Sequence, residues 1–420
     1  MRSTKKLKTD VLIIGAGAAG MFAAIQAARA GARVTVLERG PRVGRKLAIT
    51  GKGRCNVTNE ATEQEVLKNI PRNGRFLNSA MYAMSPYKVM DFFEECGVPL
   101  KVERGKRVFP VSDKAGDIVG ALKTQMHRAG VIVETARAKK LLLQDGAVCG
   151  VETEDGHKWE ANRVIVATGG LSYPLTGSTG DGYDMARQVG HTIVEPVGSL
   201  VPLEEDGGLC RQMQGLSLRN VAVRLVDEKK GKAVYEDFGE MLFTHFGVSG
   251  PTILSASAHM KQDTCYRIEI DLKPALDEQA LDARILRDFS MYQNRTILNA
   301  LTDLYPSALI PVMVQVCGID PDTKVNSLTK QQRRTILENT KRFTVKIAGK
   351  RPVAEAIVTS GGVSTKEINP RTMESKLCPG LYFAGEIIDC DGYTGGFNLQ
   401  IAWATGALAG RAAAAEEETQ

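Results

Sequence analysis

Six residues near the amino terminus, Gly15-Ala16-Gly17-Ala18-Ala19-Gly20, have the spacing with which a backbone cradles a pyrophosphate. An apolar stretch at 10–14 precedes them, and an Ala-rich stretch follows to about residue 30. The run is therefore the turn between a strand and a helix. Gly15 permits the tight turn, Gly17 lets a phosphate approach the backbone, and Gly20 lets helix and strand pack closely. The helix start turns unpaired N–H groups and a partial positive charge toward the phosphates. Glu38 closes the next apolar stretch and is placed to accept from a ribose diol. A carboxylate there repels a 2′-phosphate, so the cradle suits FAD or NAD and not NADP.

Further Gly-rich turns decide between the two. They are Ala167-Thr168-Gly169-Gly170, Gly361-Gly362-Val363, and Gly385-Glu386 followed by Gly395-Gly396. A long ligand lying across a sheet needs contacts along its whole length, and FAD is such a ligand. The loop KLAITGKGRCNVTN at 46–59 places Gly51 and Gly53 for close approach. Its Lys46, Lys52 and Arg54 offer positive charge to a pyrophosphate or a reduced flavin, unless the loop is a plain basic surface loop. Glu386, at a strand's end, is placed for a ribityl hydroxyl. The helix that opens at 395–399 would aim its N–H groups at the flavin's pyrimidine edge.

Flavin chemistry also needs a group that gives or takes a proton. His245 is a candidate, against a structural histidine bonded to backbone, and Tyr393 is a second, against a packing residue. Arg107 suits an anionic substrate group or a surface salt bridge. Cys55 has no partner at C-x-x-C spacing, which speaks against a redox thiol.

The elements that must position these residues read as α/β: an FAD-binding, Rossmann-like domain of the glutathione-reductase type, split by an insert. Its first part spans 1–194 and its second 343–420. Short alternating runs at 195–275 predict a β-rich subdomain, a small antiparallel sheet or a β-barrel-like fold, and helical spacing of Leu281, Ile285, Phe289 and Tyr292 predicts a helical subdomain at 276–342. Helices are expected near 79–96 and 117–129, and strands at 131–134, 138–143, 148–153, 158–161 and 163–167. The tail at 416–420 is expected to fray.

The composition is that of a soluble globular chain: 420 residues, 43% apolar and 24% charged. A net charge of +6, helped by the basic run 2–8 and otherwise dispersed among carboxylates, argues against a nucleic-acid partner. No apolar run nears the roughly 18 residues of a membrane helix, and the apolar stretch 11–17 is too short for a secretory signal. Eight scattered Cys fit reduced thiols in the cytoplasm, and five His without metal-ligand spacing argue against a catalytic metal.

These stretches together resemble one bacterial family of FAD-dependent oxidoreductases, which includes aminoacetone oxidase and the 3-dehydro-bile-acid reductase. The match runs through DVLIIGAGAAG (10–20), ITGKGRCNVTN (49–59), GKRVFPVSDKA (105–115), VIVATGG (164–170), GSTGDGY (177–183), EMLFTHFGVSGP (240–251), TSGGVSTKEI (359–368) and GLYFAGEIIDCDGYTGGFNLQIAWATG (380–406). The resemblance implies tightly bound FAD, lined by Ala18, Glu38, Arg39, Lys46, Gly53, Arg54, Cys55 and Asn56. It implies Ala138 near the adenine, through its backbone, and Asp389, Gly396, Asn398 and Leu399 near the flavin ring. No second G-x-G-x-x-G follows a strand, so there is no dedicated nicotinamide domain. Two enzymes remain: a reductase that takes electrons from transient NAD(P)H and saturates a conjugated C=C bond in a small, steroid- or bile-acid-like substrate, and an amine oxidase using oxygen. The first is favoured. An RNA-associated flavoprotein is the third reading.

Overall fold

The computed structural model describes residues 9–261 and 263–415. The basic run 2–8 and the tail 416–420 lie outside the described residues. The chain divides into two compact units, one running up to Ser199 and resuming at Ala356, the other spanning Leu200–Glu355.

The first unit is built on a sheet whose parallel strands lie in the order Ile132–Thr135, Val34–Glu38, Thr9–Ile14, Lys158–Val166 and Leu381–Phe383. Val11–Ile14, Val34–Leu37 and Val164–Val166 are buried and, Thr35 apart, apolar, as suits strands covered on both faces. Two expected strands at 158–161 and 163–167 are one continuous strand. Its first half pairs antiparallel with Ala147–Thr153, and its second half pairs parallel with Thr9–Ile14. The expected helix at 79–96 is two helices, Asn78–Ala83 and Pro86–Glu95, because Ser85 caps the second and Pro86 has no N–H to continue the first.

Helix Ala18–Arg29 packs on the last helix, Phe397–Ala414, so both chain ends share one core. The approach is backbone to backbone: a Cβ on Gly406 would stand 2.5 Å from Ala19 O, and one on Gly410 2.3 Å from Ala23 O. Phe22, Phe92, Phe93 and Trp403 fill the adjoining core, ring on ring.

The second unit is a closed barrel of strands Leu203–Glu205, Gly247–Ser249, Lys232–Phe243, Ser217–Asp227, Tyr266–Asp271 and Phe343–Lys350, joined by helices that include Glu278–Met291 and Lys330–Lys341. Phe343–Lys350 corrects the sequence boundary drawn before residue 343: it pairs with Tyr266–Asp271 and closes the barrel, with Phe343, Val345 and Ile347 inside. Among the described residues no helix is long and apolar enough to cross a membrane.

Candidate active site

The site residues of the first unit converge on the carboxyl ends of its parallel strands, where ligands bind open α/β sheets. Gly15 has φ +100°, and its N–H donates to Leu37 O at 2.8 Å. A Cβ on Gly20 would stand 1.9 Å from Gly15 O, whereas a Cβ on Gly17 would meet nothing within 4 Å. The third glycine therefore serves packing, and the second faces open space at the start of helix Ala18–Arg29. The Glu38 carboxylate accepts from Ala16 N (2.8 Å) and Gly40 N (2.7 Å), which fixes it beside that turn. Ala136 N–H donates to Glu38 O, so the segment leading to the buried Ala138 passes the same strand end.

A second cluster joins four separate stretches of chain. Lys46 Nζ donates to Ser172 Oγ and to Glu386 Oε2, both at 2.6 Å. Glu386 Oε1 accepts from Ser172 Oγ (2.9 Å) and Thr359 N (2.8 Å), and Thr359 Oγ1 accepts from Leu171 N and Ser172 N. Burial acts to raise Glu386, but Lys46 and these donors outweigh it and hold the carboxyl below the ordinary range. Gly385 N–H donates to Thr405 Oγ1 on the last helix.

The third cluster surrounds the start of helix Phe397–Ala414. Asn56, with its amide satisfied at both ends, accepts from Gly396 N (2.9 Å) and donates to Thr58 O and Val108 O. Gly396 has φ +100°, and a Cβ there would stand 2.3 Å from Thr58 O. Asn398 closes the preceding loop by accepting from Gly392 N and donating to Gly392 O and Tyr393 O. Asn59 Nδ2 donates to both Gly395 O and Gly105 O at 3.0 Å, which ties the 104–107 turn to the helix start. Leu399 and Tyr393 are half-buried there.

Several candidate residues make protein contacts of their own. Arg54, expected to face a phosphate, pairs with Glu103 and Asp113 and lies 4.2 Å from the Phe109 ring. Arg39 pairs with Asp181 and donates to Thr179. Cys55 is fully buried at φ +61°, and burial pushes its thiol up to about 12. Arg107 is exposed, with its Nε on Arg104 O. His245 is exposed in a turn of the second unit, edge-on to Phe246.

The residues present fit a dinucleotide. Gly17 and Gly53 front open space, Gly169 is left-handed at φ +76°, and the buried Thr168 Oγ1 and Tyr183 OH have no hydrogen-bond partner.

Residues 9–412 match the family described as HI0933-like protein Rossmann domain. The chain belongs to the HI0933-like family. It is thus a member of a family of FAD-dependent oxidoreductases. The HI0933-like chain is 32% identical to the 3-dehydro-bile acid delta(4,6)-reductase of Clostridium scindens over 409 residues, 96% of this chain and 98% of that protein. It is also 32% identical to the ribosomal RNA dihydrouridine synthase of Haemophilus influenzae over 404 residues, 94% of this chain and 96% of that one. Its fold resembles the 3-ketosteroid-delta4-(5alpha)-dehydrogenase of Rhodococcus jostii RHA1, with a TM-score of 0.51, 17% identity and 99% of each chain covered.

Ser172, Thr359, Tyr183, Arg72 and Asp391 were not singled out by sequence reasoning. Serine and threonine carry no spacing signal of their own. The DCDG run at 389–392, two acids shortly before the Gly395 turn, is the signal that could have found Asp391.

Proposed function

We propose that this protein is a cytoplasmic FAD-dependent reductase that takes electrons from NAD(P)H and saturates a C=C bond conjugated to a carbonyl in a ring. The observation that carries the reading is the pair of full-length relatives. A bile-acid delta(4,6)-reductase and a dihydrouridine synthase both act on a ring C=C bond next to a C=O. The eight free cysteines fit a reducing compartment.

In this reading the Gly15–Gly20 turn takes the pyrophosphate, Glu38 the ribose diol, and the Gly396 helix start the flavin ring. Lys46 and Glu386 brace the ribityl side between the chain ends, with Thr168, Gly169, Gly385 and Gly53 permitting close approach. Asp389, Asn398 and Leu399 flank the ring, and Arg107 and Tyr393 stand toward the substrate. Bound FAD supplies hydride transfer, and the protein orients the ring substrate and supplies the proton. A small, steroid-like enone is the favoured substrate. Uracil in ribosomal RNA is the second reading, favoured by the Haemophilus influenzae relative.

The test is anaerobic. NADH or NADPH should bleach the flavin of the purified protein, and a 3-oxo-Δ4 bile acid should restore its colour. Bleaching by aminoacetone with reoxidation only by oxygen would replace the reductase with an amine oxidase. Loss of dihydrouridine from ribosomal RNA in a deletion strain would establish the second reading.

A further inference from the structure

One guanidinium stands between two buried carboxylates. Asp389 and Asp391 are 5% and 2% exposed, and Arg72 Nε lies 2.5 Å from Asp389 Oδ1. Asn73 Nδ2 adds a hydrogen bond to Asp389 Oδ2 at 2.9 Å. Arg72 is thereby committed to Asp389, though its backbone pairs with that of Asp391. Asp391 receives a hydrogen bond from Ser199 Oγ at 2.7 Å on Oδ2. Its other oxygen, Oδ1, is buried and has no partner. The groups that face it are Ser199, Ser360, Arg72 and Asp389. Arg72 Nη1 also donates to Ser360 Oγ at 3.2 Å, so the guanidinium is spent on two other acceptors.

One positive charge cannot neutralise two buried negative ones, and like charges in one site drive one carboxyl to the neutral form. Burial, the largest cause, raises Asp391 above the ordinary carboxylate range, and Asp389 raises it further against the opposing pull of the two serines and Arg72. The cluster leads directly into the loop Gly392–Tyr393 that Asn398 closes against the start of the last helix.

We propose that Asp391 is the proton source of the reduction, a neutral carboxylic acid kept beside the Arg72–Asp389 ion pair. This rests on the reductase reading above. Saturating the C=C bond adds a hydride at one carbon and a proton at the other. The proton leaves Asp391 as its O–H bond breaks and a C–H bond forms. The carboxylate left behind is reprotonated from solvent, and NAD(P)H is the overall reductant.

Infrared spectroscopy of the FAD-loaded protein reads the state of Asp391 without turnover. A neutral-carboxyl C=O band should be present at neutral pH and disappear in Asp391→Asn. Absence of the band, or its survival in Asp391→Asn, overturns the proposal. The second measurement is reoxidation of the bleached flavin in the Asp391→Asn protein. A 3-oxo-Δ4 bile acid should restore colour about 100-fold more slowly than in the parent, the order of a lost general acid. Ferricyanide, which asks for no proton on carbon, should restore it at the parent rate. Equal rates with the enone also overturn the proposal. If no enone reoxidises the parent protein, the reductase reading fails and the proton-source role falls with it. The infrared band still decides on its own whether Asp391 is neutral.

Discussion

Lys46 Nζ lies 2.6 Å from Glu386 Oε2 although 340 residues separate them in the chain. This contact fastens the amino-terminal loop to the carboxyl-terminal strand end, with Ser172 and Thr359 completing the cluster. Lys46→Met leaves the Glu386 carboxylate without its cation. A charged hydrogen bond of this kind contributes about 2 kcal/mol, and the variant should be destabilised by that order at neutral pH. Thermal melts of the apoprotein measure it, and an unchanged melting temperature would remove the clasp from the stability argument.

The same carboxyl fixes a pH dependence. Its folded-state value is depressed, so its contribution is present above the ordinary carboxylate range and is lost as pH falls through the depressed value. Glu386→Gln removes a proton-binding difference between the folded and unfolded chains. The parent should therefore lose melting temperature more steeply on acidification than Glu386→Gln does. Parallel slopes from pH 7 down to about pH 3 would contradict the assignment.

Two glycines of one motif should respond to alanine in opposite ways. At Gly20 a Cβ would sit 1.9 Å from Gly15 O, a backbone atom that cannot step aside. Gly20→Ala should give little folded protein. At Gly17 a Cβ would project into open space. Gly17→Ala should melt within about 1 kcal/mol of the parent and yet retain far less FAD after gel filtration. A Gly17→Ala protein as yellow as the parent would mean that no phosphate approaches that turn.

The Gly15–Gly20 turn, Glu38 and the Gly396 helix start were legible because their chemistry lies in local spacing, and the strands beside them because a doubly covered strand is apolar throughout. The Lys46–Ser172–Thr359–Glu386 cluster was legible only in its two charged members. The acidic partners of Arg54 stand 49 and 59 residues away, and no local pattern reveals that its charge is matched there. Phe343–Lys350 alternates as any half-buried strand does, and alternation does not say which sheet the strand joins.

The crossing of the two terminal helices makes a prediction whose sign runs against helix propensity. In a helix interior Ala is favoured over Gly by about 0.5–1 kcal/mol, so Gly406→Ala and Gly410→Ala would stabilise an isolated helix. Here the added methyl groups would meet Ala19 O at 2.5 Å and Ala23 O at 2.3 Å. Forcing the helices apart costs about 1–3 kcal/mol, as overpacking a core does. Each variant should melt below the parent in denaturant titration. A rise in stability at either position would show that the helices are not in backbone contact.

Cys55 lies in the most distinctive loop of the sequence, where a reactive thiol would invite a redox role. Its burial is complete, and the thiol is pushed up to about 12. At pH 7 the thiolate, which is the nucleophile, is then of order ~10⁻⁵ of the population. Cys265 is exposed. Brief iodoacetamide treatment of the native protein, read by peptide mass spectrometry, should modify Cys265 and leave Cys55 untouched until the protein is unfolded. Early labelling of Cys55 would reopen thiol chemistry at this site. Its continued protection would leave Cys55 as an apolar wedge that holds its loop in the left-handed turn.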